Sequence, residues 1–244
     1  MMNCSVISMS KVYESEDFYR PFLNMNYVDC TDITGVNCYV DADAVGVLRE
    51  RMVNVHLEGV HFIDSGNFHY LTYLFLERIE YDFALVLIDK HPDCKTPMFE
   101  EMLSCGGWIR NAFMSFTHLK HVYMIGTDES LLEELDDLGQ YKNKVFVDKD
   151  MSAIDKESLP IYISIDKDAL SSSVLTTNWD QGDMMLEELD ECLDVIVSGH
   201  EIIGTDICGE PDIFDAPSAL SKSDSVNSHL LSFLSGKCVF DNIQ

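Results

Sequence analysis

Basic side chains are scarce in this chain of 244 residues: 16 lysines and arginines face 43 aspartates and glutamates, a formal net charge of -27. Such a balance repels phosphate backbones and anionic membrane surfaces, so neither nucleic acid nor a membrane is an expected partner. It suits metal cations and cationic small molecules, and equally the solvated surface of an acidic cytosolic protein. Long apolar runs are missing as well. None approaches the roughly 20 residues of a membrane-spanning helix, and the first ten residues carry no basic segment ahead of an apolar one, so an unexported protein is expected. No Pro-, Gly- or Ser-rich linker interrupts residues 1–244, which predicts a single domain. The eight cysteines, at 4, 30, 38, 94, 105, 192, 208 and 238, never form a C-x-x-C pair. Scattered through core-like segments, they read as reduced thiols rather than a disulfide framework or a zinc-thiolate site, and the cytoplasm is the expected compartment. Neither a P-loop nor a dinucleotide-binding glycine fingerprint occurs. Homo-oligomerisation stays open.

What the chain does hold is alternation. Short apolar runs at about 3–9, 25–29, 60–64, 83–89, 121–125, 144–148, 160–165 and 201–206 predict eight strands, with helix-like segments between most of them. The clearest helix is 184–197, where Met185, Leu186, Leu189, Leu193 and Ile196 recur at helical spacing opposite Glu187, Glu188, Asp190 and Glu191. Residues 128–135 also open with acids in a first turn, where they complement the helix dipole. The order predicts an α/β fold of three layers, α/β/α, around a mostly parallel sheet of about eight strands. In such sheets ligands bind beyond the carboxyl ends of the strands.

Two strand ends there carry unusual chemistry. The apolar run Phe83–Ile88 leads without a spacer into Asp89-Lys90-His91-Pro92-Asp93, and Ile161-Tyr162-Ile163 leads likewise into Ser164-Ile165-Asp166-Lys167-Asp168. In extended chain, residues i, i+2 and i+4 face one way, so Asp89, His91 and Asp93 can converge, as can Asp166 and Asp168, with Lys90 and Lys167 turned away. Either motif alone is commonly a polar capping loop. Together they would place four carboxylates in one place, which repel one another unless a cation joins them. Mixed oxygen and imidazole donors suit Mn2+ and can suit Zn2+ or Fe2+. Two such ions bridged by water would produce hydroxide at neutral pH, which is hydrolytic chemistry.

The two motifs resemble the metal-binding signatures of the arginase/agmatinase, or ureohydrolase, family, which shares its fold with metal-dependent deacetylases. An earlier Gly-Gly-Asp-His motif of that family has its counterpart in Ile63-Asp64-Ser65-Gly66-Asn67-Phe68-His69, with His69 on the ligand when Gly66 takes the first glycine. A second register puts Phe68 there. The resemblance implies two Mn2+ ions bridged by Asp89 and Asp166, one completed by His69 and Asp93, the other by His91 and Asp168. It further implies attack of a metal-bridging hydroxide on an amidino-type carbon. Three departures bear on substrate. Cys105 stands where the family has a catalytic His, either as a soft acid/base or nucleophile or as an inert thiol. Gly209 occupies the place of the guanidinium-holding Glu, with Glu210 one residue on, either presented by a bulge or left as a loop acid. Asn178-Trp179-Asp180-Gln181-Gly182-Asp183 replaces a Pro- and Gly-rich loop, putting Trp179, like Trp108, on loops around the site. The expected activity is thus hydrolysis of a non-peptide C-N bond in an amidino, guanidino or amide compound other than arginine. Asp89, Cys105 and Glu210 are the candidate catalytic residues. The alternative is a non-catalytic protein that keeps the metal for structure or binding. A single-zinc deacetylase would need fewer ligands than these, and paired histidines that are not found. His56, His61, His118, His121, His200 and His229 lack partners at ligand spacing and read as surface or hydrogen-bonded core residues.

Overall fold

A computed structural model of the protein describes residues 3–22, 25–99, 102–147 and 151–237. Residue 148, the end of one predicted strand, and Cys238 lie outside the described residues. The strands are β1 (Cys4–Ser8), β2 (Met25–Asp29), β3 (Tyr39–Val40), β4 (Val60–Phe62), β5 (Phe83–Ile88), β6 (Leu103–Ser104), β7 (Leu119–Ile125), β8 (Val145–Val147), β9 (Ile161–Asp166) and β10 (Ile202–Cys208). Between and after them run α1 (Ala42–Arg51), α2 (Leu71–Leu76), α3 (Trp108–Ser115), α4 (Leu186–Gly199) and α5 (Pro217–Lys237). One sheet takes the order β2-β1-β4-β10-β9-β5-β7-β8 with every pairing parallel. Each of the eight predicted runs supplies one of its strands.

Alternation along the strands splits the core in two. On β5, Phe83, Leu85 and Leu87 join the cluster that holds Phe75, Trp108 and Ile109. Ala84, Val86 and Ile88 face the opposite cluster, with Leu189, Leu193 and Ile196 of α4 and Leu230 and Leu231 of α5. Because helices cover both faces, β5 is buried at all six positions, which is why it reads as an unbroken apolar run. Each Leu or Ile so placed contributes roughly 1.5–3 kcal/mol relative to exposure. Helix α4 begins where the Glu188 carboxylate accepts from the Met185 backbone N–H at 2.7 Å, and the acids Glu187 and Glu188 occupy its first turn.

Two features go beyond what the sequence pattern specifies. The helix-like segment expected over 128–135 is the start of a 3-10 stretch, Glu129–Lys144, broken by Gly139 at φ 54. Its buried anchors Leu135 and Leu138 stand three apart, and side chains at that spacing eclipse in a 3-10 turn. The antiparallel pair β3 and β6 was not anticipated, since two-residue strands carry no readable period. Among the described residues no helix is long and apolar enough to cross a membrane.

The order places β9 between β5 and β10, with β4 beyond β10. The carboxyl ends that carry the two motifs are therefore neighbours.

Candidate metal centre

Strand β5 stops at Ile88, but its ladder continues through the Asp89 N–H to the Ile125 carbonyl at 3.0 Å, so Asp89 is the last extended position. Its Oδ1 accepts from the His91 backbone N–H at 2.6 Å, which folds the motif back over the strand end. Asp93 sits at φ 48, and the Trp108 indole N–H donates to its Oδ2 at 2.7 Å. At the end of β9 the Asp166 Oδ1 accepts from the Asp168 N–H at 2.9 Å, while the Lys90 N–H donates to Asp168 Oδ1 at 3.2 Å. His69 follows a short 3-10 turn, Gly66–Phe68, after β4. A Cβ on Gly66 would lie 2.9 Å from Asp166 Oδ2 and 2.8 Å from the Trp179 ring, so only glycine lets this turn approach so closely. The ring of His69 is oriented from behind: its Nε2 meets Ser164 Oγ at 2.9 Å, and that hydroxyl donates to Asp206 Oδ1 at 2.7 Å. Nδ1 is left facing the carboxylates.

The outcome is two adjoining groups that share Asp89. His69 Nδ1 lies 2.9 Å from Asp93 Oδ2, 3.2 Å from Asp89 Oδ2 and 3.6 Å from Asp166 Oδ2. His91 Nδ1 lies 2.9 Å from Asp168 Oδ2 and 3.5 Å from Asp89 Oδ1. Donors bound at about 2.1 Å to one ion are themselves roughly 3–3.5 Å apart, so the spacing fits divalent metal. Asp89 Oδ2 is buried with no hydrogen-bond partner, an acceptor that a cation would satisfy. A thiol joins the cluster: Cys208 Sγ donates to Asp166 Oδ2 at 3.1 Å and makes a third possible ligand group with His69 and Asp166. Burial, then the charge of Asp168, pushes Asp166 up to about 6, and burial, then the charge of Asp89, pushes Asp168 up to about 7. Burial followed by the charge of Asp93 also raises Asp89. For His91 burial opposes protonation, yet the hydrogen bonds to Asp168 and Asp89 prevail and drive it up to about 12. All four groups are thus biased toward their protonated forms, a bias that a bound cation would reverse.

Above them opens a cavity of about 490 Å³ lined by His69, His91, Asp93, Asp166 and Asp168 together with Cys38, Cys105, Lys95, Glu134 and Trp179. Lys95 and Glu134 pair at 3.0 Å on its wall. Trp179 stands over His91 with ring centres 5.8 Å apart and is held by Asn67, whose Oδ1 accepts from the Trp179 indole at 2.8 Å and from Asn178 Nδ2 at 2.9 Å. The other end of that amide donates to Asn37 Oδ1 at 2.8 Å. Lys90 turns away and pairs with Asp180 at 2.6 Å.

Two expectations need correction. Glu210 does not reach the cavity. Gly209 at φ 90 turns the chain against Asp166, and Glu210 is fully buried in an ion pair with Lys167 Nζ at 2.6 Å, with Asn227 Nδ2 donating at 2.8 Å and Ser223 Oγ alongside. It is neither a bulge presented to substrate nor a loop acid. Trp108 is likewise buried beneath Asp93 at the start of α3 instead of lining a rim. Cys105 does line the cavity, next to Cys38. Sequence reasoning passed over Cys208, Cys38 and the Ser164–Asp206 pair. A usable signal existed for Asp206 and Cys208, which alternate on a strand that ends beside Asp166.

A family model for the arginase family matches residues 4–216. An uncharacterised protein of Thermotoga maritima is 31% identical over 231 residues, covering 94% of this chain and 88% of that one. The native structure of arginase from Bacillus caldovelox superposes with a TM-score of 0.66 at 14% identity, over 98% of this chain and 100% of that one. Formiminoglutamase of Trypanosoma cruzi, solved with Mn2+, gives a TM-score of 0.63 at 12% identity, over 95% and 94% of the two chains. At such identities the two structures establish a shared fold.

Proposed function

Because the chain belongs to the arginase family, we propose that it is a metal-dependent hydrolase of a small molecule, cleaving a non-peptide C-N bond of the amidino, guanidino or amide type. One observation carries the reading: two histidine-carboxylate groups, His69 with Asp89 and Asp93, and His91 with Asp89 and Asp168, adjoin through one shared aspartate at the floor of a cavity. Asp166 and His69 would hold one ion with Asp93, and Asp168 with His91 the other, Asp89 serving both. The solved relative with Mn2+ and the mixed oxygen and imidazole donors support two Mn2+ ions, with Zn2+ or Fe2+ as the alternatives. Ions held there would supply Lewis acidity and hydroxide at neutral pH. The chain's own groups do the rest. Ser164 and Asp206 fix the His69 ring, Trp108 fixes Asp93, and the Trp179 ring walls one side of the cavity. No carboxylate free of the metal cluster or of an ion pair lines that cavity among the described residues, so a guanidinium such as that of arginine would lack an anchor.

Metal analysis after chelator-free purification tests this: about two equivalents of a divalent transition metal are expected, and less than one after Mn2+ reconstitution would overturn it. The second reading, a non-catalytic metal protein, is favoured by Cys105 on the cavity wall and by the burial of Glu210. Hydrolysis of a guanidino, ureido or formamido compound that disappears in Asp168→Ala while the fold persists would exclude it.

A further inference from the structure

Cys38 and Cys105 come from opposite sides of the small β3–β6 ladder, in which Tyr39 pairs with Ser104 and Val40 with Leu103. One step further along the same register sets Cys38 opposite Cys105, and the Cys105 N–H donates to the Cys38 carbonyl at 2.9 Å. Residues opposite one another in an antiparallel pair have Cα atoms about 4.5–5.5 Å apart, within the range a disulfide spans. Cys38 adopts φ 62, in the left-handed region that residues other than glycine rarely occupy, and its N–H is tied to the Asn67 carbonyl at 3.2 Å. Both thiols are free and both line the metal cavity. The Cys105 thiol is hydrogen-bonded to Cys38, which lowers the latter to about 7 and raises Cys105. A thiolate is the nucleophilic form of cysteine.

We propose that Cys38 and Cys105 form a reversible dithiol–disulfide site on the wall of the cavity, oxidised by hydroperoxides small enough to enter it. The Cys38 sulfur attacks the hydroperoxide oxygen, the O–O bond breaks and an alcohol, or water from hydrogen peroxide, leaves, giving a sulfenic acid at Cys38. The Cys105 sulfur then attacks Cys38, the S–S bond forms, the S–O bond breaks, and the departing hydroxide takes the Cys105 proton as water. Two thiols lose two electrons in total and one peroxide is reduced. The link joins the segment before β3 to the turn after β6 and closes a loop that contains His69, Asp89, His91 and Asp93. It is independent of which metal is bound and of whether the protein hydrolyses anything.

The test is treatment of the intact protein with one equivalent of hydrogen peroxide, alkylation of remaining thiols, and peptide mapping without reduction. A single Cys38–Cys105 cross-link with two thiols lost, reversed by dithiothreitol, is expected. In Cys105→Ser a dimedone adduct should appear on Cys38 and no cross-link should form. Oxidation first at Cys192, a link that engages Cys30, or full alkylation of Cys38 and Cys105 after peroxide would each overturn the proposal. Cys38→Ser supplies a second variant should Cys105→Ser fold poorly, and persistence of a disulfide at Cys105 in it would also count against the pair.

Discussion

His61 shows what burial does to a single titratable ring. It is fully enclosed in β4, stacks on Phe75 at 4.5 Å, and has only the Leu57 carbonyl for a partner, leaving Nδ1 unpaired. Burial lowers it from 6.5 to about 4. The unfolded chain therefore takes up the proton first, so stability is intact above pH 6.5 and falls as pH drops toward 4, by about 2 kcal/mol at pH 5. Urea titrations of the wild type and His61→Phe at pH 8 and pH 5 should show a loss between those pH values that is smaller in the variant by about that amount. Cys208 offers a second test at this scale. If its sulfur joins His69 and Asp166 around a metal, protein loaded with Co2+ should show near-ultraviolet thiolate-to-metal absorption that Cys208→Ser lacks. Absence of that band in cobalt-loaded wild type would reduce the thiol to a hydrogen-bond donor for Asp166.

Strand ends and the turns after them decide where the site is. At Gly209 a Cβ would fall 2.5 Å from Asp166 Oδ1 and 2.7 Å from the Lys167 N–H nitrogen, on top of the cost of φ 90 for any other residue. Gly209→Ala should cost about 1–3 kcal/mol in denaturant and weaken metal retention at least tenfold, because Asp166 must move. An unchanged metal content would show that this turn does not shape the centre. The strands were legible because a parallel sheet buried on both faces leaves continuous apolar runs, and the two motifs were legible because extended chain alternates. The course of the chain after β10 was not. The one-residue offset at Gly209 and Glu210 fits a bulge and a loop acid equally, and the burial of Glu210 depends on Ser223 and Asn227, which lie in α5 and have no periodic relation to it. Nor could spacing bring Cys38 beside Cys105, since that contact runs through two-residue strands. Over 128–135 the helix was legible but its type was not, because acids in a first turn favour a helix without choosing between α and 3-10 hydrogen bonding.

Across the whole molecule a buried ionic network joins the metal floor to both ends of the described chain. Lys167, between Asp166 and Asp168, reaches Glu210, Ser223 and Asn227, and Asn227 in turn donates to Glu16 at 2.8 Å. Burial, then the charge of Glu210, raises Glu16 to about 10, so the network holds a proton as well as a lysine. Lys167→Met removes the cation from the enclosed Glu210 carboxylate and should destabilise the protein by about 3–5 kcal/mol, while Lys167→Met combined with Glu210→Leu should recover part of that loss. Guanidinium unfolding of the three proteins is the measurement, and equal stability of the single and double variants would show that the carboxylate was never dependent on Lys167. Asn67 binds the molecule together in another respect. Its one amide grips Asn37 on one side and Asn178 and Trp179 on the other. Residues 37, 67, 178 and 179 thus work as a single latch: Asn67→Gly would release both loops at once, and the loop that carries Trp179 would no longer be held over the cavity.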